Sequence, residues 1–181
     1  MSNRNCHFQP RINLSEIQAY SQRYSYLLED SVEHLVPKVQ ERGFLTKGEL
    51  AEVCCWKTPR SQKLVSQNDE DLVKTATAMA LSETDDRLKI HVLLALDGVS
   101  MPTASVLLHW FDKQRYPIID FRAMWSLGVP DTQSYSLRFW VEYVAFAREL
   151  ADQAGVSMRI LDKALWQYSI ENQIALGIGK I

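Results

Sequence analysis

The sequence is poor in cysteine, has no long apolar run and has no excess of either charge. Only Cys6, Cys54 and Cys55 occur in 181 residues. Three cysteines are too few for a disulfide framework, and an adjacent pair lacks zinc-site spacing. The thiols therefore read as buried or reduced, in a cytoplasmic protein. No stretch approaches the roughly 20 apolar residues that cross a bilayer, and residues 1–10 lack the apolar core of a secretory signal. Neither a membrane-spanning nor an exported chain is expected. Lys and Arg number 20 against 22 Asp and Glu, a formal charge of −2. That excludes a protein that coats nucleic acid by charge alone, but leaves room for a local basic face whose DNA affinity is modest and salt-sensitive. No run alternates as a half-buried strand would. A serine-histidine-acid arrangement, a P-loop and a dinucleotide fingerprint are also missing.

What the chain does contain is helical periodicity. Ile17, Tyr20, Tyr24, Leu27, Leu28, Leu35 and Val39 recur at three or four residues, which predicts one long helix over 13–42, kinked or split at Pro37. Thr46 and Glu49 have capping-box spacing for a short helix ending before Pro59. Asn68-Asp69-Glu70-Asp71 opens another, its acidic residues at the positive end of the dipole, with Leu72, Ala76, Met79 and Ala80 as its apolar positions. Residues 134–152 carry two apolar stripes, so that helix is expected to be buried on most sides. Gly155 ends it, and Ser157 caps a last helix running to about Tyr168. The expected architecture is all-α: a compact bundle of roughly eight to ten helices in one domain over 1–181, or in two small lobes sharing a core.

One stretch is more specific. Leu93 to Leu96 reads as the buried end of a helix, and Asp97-Gly98 as a turn, since Gly tolerates positive φ. Pro102 suits the first turn of the next helix. Ala104, Leu107, Leu108 and Phe111 make one helical face. Pro117-Ile118-Ile119-Asp120 then leads into a third helix, 22 residues after Gly98. Small residues in such a turn point backbone N–H groups outward at a phosphate. The alternative is a tight helix-helix turn used for packing alone, which Asp97 and Ser100 favour. Asp120 is likewise a good N-cap for the helix after it, and a cap alone accounts for its presence.

The word Leu96-Asp97-Gly98-Val99-Ser100-Met101-Pro102-Thr103-Ala104, followed by Pro117-Ile118-Ile119-Asp120, resembles the helix-hairpin-helix DNA glycosylase superfamily, which includes endonuclease III and the adenine mismatch glycosylases. The resemblance covers about residues 85–130, with the helix-hairpin-helix at 85–113, and is architectural elsewhere. It implies a DNA N-glycosylase of base excision repair that acts on double-stranded DNA and hydrolyses the N-glycosidic bond of a damaged or mismatched base. Asp120 would stabilise the sugar cation. Gly98, Val99, Ser100 and Thr103 would meet backbone phosphate. The carbonyls of Leu94, Leu96 and Val99 would hold a monovalent cation. Two departures matter. Pro102 stands where bifunctional relatives place their Schiff-base lysine, so any activity is expected to be monofunctional. No cysteine follows Cys55, so the iron–sulfur cluster of many relatives is not expected. The wording Trp56-Lys57-Thr58-Pro59-Arg60 and the ending Leu161-Asp162-Lys163-Ala164-Leu165-Trp166 resemble an uncharacterised bacterial branch of the same superfamily.

Lys57, Arg60 and Lys63 beside Trp56 form a second candidate contact, gripping a phosphate or wedging a base step. The bland alternative is a solvated loop whose Trp56 packs inward. His34, His91 and His109 have no ligand spacing and read as core or surface residues. A non-catalytic helix-hairpin-helix module that binds DNA or a protein partner is the alternative to the enzyme.

Overall fold

The computed structural model describes residues 8–26 and 30–175. Cys6, His7, Leu27 and Leu28 lie outside them. Among the described residues the chain is all-helical, with no strand. In chain order, a 3-10 turn, Leu14–Glu16, leads into α1, Ile17–Gln22. There follow α2, Asp30–Glu33; α3, Val36–Arg42; and α4, Lys47–Lys57. A second 3-10 turn, Pro59–Ser61, runs into α5, Gln62–Val65. Then come α6, Glu70–Ser82; α7, Asp86–Leu94; α8, Met101–Phe111; α9, Phe121–Ser126; α10, Leu137–Ala154; and α11, Met158–Ala175. No helix among the described residues is long and apolar enough to cross a membrane. The chain divides into two compact units, Met1–Ser25 with Ile119–Ile181, and Tyr26–Ile118.

In the first unit α11 is the centre. α1 packs along it, with Tyr20 edge-on to Tyr168 at 5.0 Å and Arg23 paired to Glu171 at 2.9 Å. α9 packs on its other side, where the Ser126 hydroxyl donates to the Leu165 carbonyl at 2.6 Å. Gln9 and Arg11 donate backbone N–H to the carbonyls of Leu127 and Ser126 at 2.7 and 2.8 Å. Gly128 lets that strand of chain come close, since a Cβ there would lie 2.5 Å from the Gln9 carbonyl oxygen.

In the second unit α4, α6, α7 and α8 enclose a core of Leu50, Val53, Ile90, Leu93, Leu107 and Leu108, all buried. α7 and α8 are joined at one end by the Gly98 turn. At the far end a buried ion pair holds them: Lys89 of α7 bonds Asp112, the C-cap of α8, with both side chains almost wholly enclosed. Asp112 also accepts the Gln114 N–H at 2.8 Å, and the Lys89 ammonium lies 5.7 Å from the centre of the Tyr116 ring.

Several expectations need correction. The stripe over 13–42 is not one helix but several short ones. The chain leaves α1 at Arg23, and Ser25 is tied by its N–H and its hydroxyl to Gln167 Oε1, both at 3.1 Å. Pro37 sits in the first turn of α3, where a missing N–H costs nothing. In α6 the buried face is Val73, Ala76, Thr77 and Ala80, while Leu72 and Met79 are exposed. Thr77 can occupy that face because its hydroxyl donates to the Val73 carbonyl at 2.7 Å and accepts the Leu45 N–H at 3.0 Å. α11 runs well past Tyr168, carried by polar contacts such as the Ser169 hydroxyl to Gln173 Oε1 at 2.7 Å.

Candidate functional site

The Gly98 turn is fixed from within and from outside. The Asp85 carboxylate caps α7 by accepting the N–H groups of Arg87 and Leu88 at 2.8 and 3.1 Å. Past Leu94 the chain tightens until the Leu96 carbonyl accepts the Val99 N–H at 3.1 Å. Gly98 has φ +78°, a region costly for any residue with a Cβ. A Cβ there would also lie 2.7 Å from Val65 Cγ2, 2.9 Å from the Val65 nitrogen and 3.0 Å from the Ser61 carbonyl oxygen. Glycine is thus required twice, for its φ and for the approach of α5. Next to it Asn68, 3% exposed, clamps Asp97. Its Nδ2 donates to the Asp97 carbonyl and its Oδ1 accepts the Asp97 N–H, each at 2.8 Å.

Two stretches that the sequence presents separately are therefore side by side in the second unit. Lys57, Arg60 and Lys63 belong to the segment that packs on the Gly98 turn. Lys57 ends α4 half-buried, and Arg60 and Lys63 are exposed. Trp56 does not join them. It is buried, edge-on to the Tyr26 ring at 5.6 Å, and its carbonyl accepts the Tyr26 hydroxyl at 3.1 Å. Lys57 and Trp56 are also helical, not loop. Beneath them Cys54 is buried, and that burial pushes its thiol up to about 12 against a hydrogen bond from Ser61. A thiol so protonated is no nucleophile.

Of the expected phosphate contacts, Ser100 is exposed and Gly98 half-buried. Among the described residues the N–H groups of Gly98, Ser100 and Met101 meet no protein acceptor. Val99 is buried and its N–H closes the turn, while Thr103 is fully enclosed with its hydroxyl 3.5 Å from that of Ser100. Both side chains shape the turn from inside. Of the three carbonyls assigned to a cation, that of Leu96 accepts the Val99 N–H.

Asp120 belongs to the first unit. It caps α9, with Oδ1 accepting the Ala123 N–H at 2.8 Å, and the residue stays half-exposed. Its surroundings are aromatic and charged. Burial raises the Tyr135 hydroxyl, and the negative charges of Asp120 and Asp131 push it further. Tyr143 is raised far more, first by complete burial and then by Asp162 and Asp120. Asp162 is itself buried and accepts from Arg159 at 2.5 Å. Burial lowers Arg122, partly offset by the Asp120 charge. Both phenols therefore stay neutral beside a carboxylate, an arrangement that supplies fixed negative charge and polar groups in a partly water-excluded setting.

Sequence reasoning missed Asn68, which reads as an ordinary residue before a helix, and the buried Lys89–Asp112 pair, whose partners are 23 residues apart. It also missed Tyr135 and Tyr143 near Asp120, and the Arg159–Asp162 pair whose carboxylate acts on Tyr143. The one available signal was the i,i+3 spacing of Arg159 and Asp162. Among the described residues no group of three His, Cys, Asp or Glu side chains is arranged to hold a metal.

Compared with protein-family models, with curated proteins and with solved structures, the chain gives no match.

Proposed function

We propose that this protein is a monofunctional DNA N-glycosylase of the helix-hairpin-helix type. Asp120 carries the chemistry and the Gly98 turn holds backbone phosphate. The C1′–N bond breaks with its electron pair leaving on the base, which departs with a proton. Water adds at C1′, its second hydrogen completing the balance, and an abasic site remains. The Asp120 carboxylate stabilises the sugar cation between those events, and the base is extruded from the stack beforehand. The observation that carries the reading is the state of Asp120. It serves as a cap, yet it stays half-exposed among aromatic groups, at the spacing from Gly98 that the glycosylase pattern has. The unbonded N–H groups at Gly98, Ser100 and Met101 support the phosphate role.

Asp120→Asn tests it. Asparagine caps a helix about as well as aspartate, so stability should move by less than about 0.5 kcal/mol in urea denaturation. Base release should vanish, while duplex binding holds or tightens because a negative charge is gone. A variant that released base at the wild-type rate would remove Asp120 from the chemistry.

A second reading has its own support. The Asn68 clamp, the packing of Gly98 on Val65 and the acidic balance of the second unit, 11 Lys and Arg against 14 Asp and Glu, favour a non-catalytic module in which the turn is a structural joint. On that reading Asp120→Asn changes nothing measurable, and binding to duplex at low salt separates a DNA-binding module from a protein-binding one.

A further inference from the structure

Leu64 of α5 is 50% exposed. A lone surface leucine is ordinary, but the surroundings of this one are not. Of the six large hydrophobic side chains exposed among the described residues, only Leu64 has no acidic residue within four positions along the chain. It stands in the run from Val53 to Asn68, which holds Lys57, Arg60 and Lys63 and no carboxylate, inside a unit that is acidic as a whole. The 3-10 turn Pro59–Ser61 continues directly into α5, since Gln62 ends the first and begins the second. Ser61 and Val65 are therefore one turn apart, and both are the residues that approach Gly98. Arg60 and Leu64 are one turn apart on another side of the same short run, and with Lys63 they face water. Among the described residues Arg60 and Lys63 form no ion pair. Trp56, the apolar group that the sequence sets beside these cations, is buried.

We propose that Leu64 is a wedge that enters the minor groove of a fully paired duplex, opens one base step and kinks the DNA, while Arg60 and Lys63 hold the phosphates beside it. A leucine carries no hydrogen-bond group and reads no base edge, but its branched end fits between partly unstacked base pairs. Bending needs an apolar tip together with contacts that keep the backbone down around it. Arg60 and Lys63 supply charge for that, and the unbonded N–H groups of Gly98, Ser100 and Met101 lie on the turn that Ser61 and Val65 touch. An apolar partner would leave both cations without counter-charge, and a second copy of this run would bring like charge to like. A duplex answers all three features, with phosphate for the cations and the N–H groups and an opened step for the leucine. Selection then works through deformability: pyrimidine–purine steps open easily and A-tracts resist. The site rests on the DNA-binding half of the function proposed above and needs neither Asp120 nor an extruded base.

The test is energy transfer between dyes on the two ends of an undamaged duplex, read as the full chain is titrated in at low salt. One duplex has a central thymine–adenine step and the other a central A-tract. Wild type should draw the ends of the first together and bind it about tenfold more tightly than the second. Leu64→Ala should lose the change in energy transfer and cut the preference below about twofold, while Leu64→Met keeps both. Lys63→Ala should weaken binding to both duplexes and lower the salt slope by about one. Leu72→Ala, an exposed leucine of α6, should change nothing. A duplex that stays straight when wild type binds, or one that Leu64→Ala bends as wild type does, would overturn the wedge. So would competition by poly-glutamate as strong as that by duplex, which would make the run a docking face for an acidic protein. The two proposals fail separately. Bending by wild type with no base released from any damaged duplex leaves the wedge standing and removes the glycosylase reading. Base release from duplexes that never bend removes only the wedge.

Discussion

Gly98 and Gly155 show how a residue's neighbours decide what a glycine is for. Both sit at positive φ, +78° and +64°. A Cβ at Gly155 would meet nothing within 4 Å, whereas one at Gly98 would press on the backbone of Ser61 and Val65. Gly155→Ala should therefore cost only the backbone term, about 1 kcal/mol. Gly98→Ala adds overpacking and should cost about 3 kcal/mol or more. Urea midpoints of the two variants check this; similar losses would mean that α5 yields to the intruding methyl. The sequence marked Gly98 as a turn through its Asp-Gly signal. It held no sign of the second demand, because Val65 is 33 residues away and nothing local ties it to the turn. Asp120 was legible as a cap by its position. The tyrosines that feel its charge were not, since tertiary proximity leaves no periodic trace.

At the scale of elements, apolar periodicity placed α8 and α10 well. Ala104, Leu107, Leu108 and Phe111 are all buried, as are Trp140, Val144, Ala147 and Ala151. Local cap chemistry placed α4: Thr46 and Glu49 bond reciprocally, at 2.8 and 3.3 Å. The method failed where buried faces are polar. Thr77 hides on α6, and Ser169 and Gln173 on α11, each with its hydrogen bonds satisfied inside, so the stripe was displaced in one helix and cut short in the other. The pair that closes α7 on α8 lies in the same blind spot, because a buried lysine looks like a surface one in a sequence. Lys89→Met leaves the Asp112 carboxylate buried and unpaired, and should destabilise the fold by about 3–5 kcal/mol. Lys89→Met with Asp112→Leu should be closer to wild type than either single change. Chemical denaturation of the three variants decides it; strictly additive losses would mean that the two groups do not act as a pair.

At the scale of the molecule, charge divides unevenly. The unit with the Gly98 turn has 11 basic against 14 acidic residues, and the unit with Asp120 has 9 against 8. Neither can hold DNA by bulk electrostatics, so binding must come from a few placed groups and weaken steeply with salt. The all-helical class was legible throughout, because helix periodicity and caps are local properties. The division into two units was open in the sequence, since each contributes ordinary helices and the break after Ile118 falls inside an apolar run, Pro117-Ile118-Ile119. The proposed chemistry depends on a base leaving its sugar without strand cleavage. The most direct measurement incubates the wild-type protein at low salt with duplexes carrying a panel of damaged and mismatched bases, then splits each sample for treatment with and without alkali. The account predicts that at least one duplex is cut only after alkali, with the free base recovered by mass spectrometry. No alkali-labile site and no free base from any duplex would contradict it.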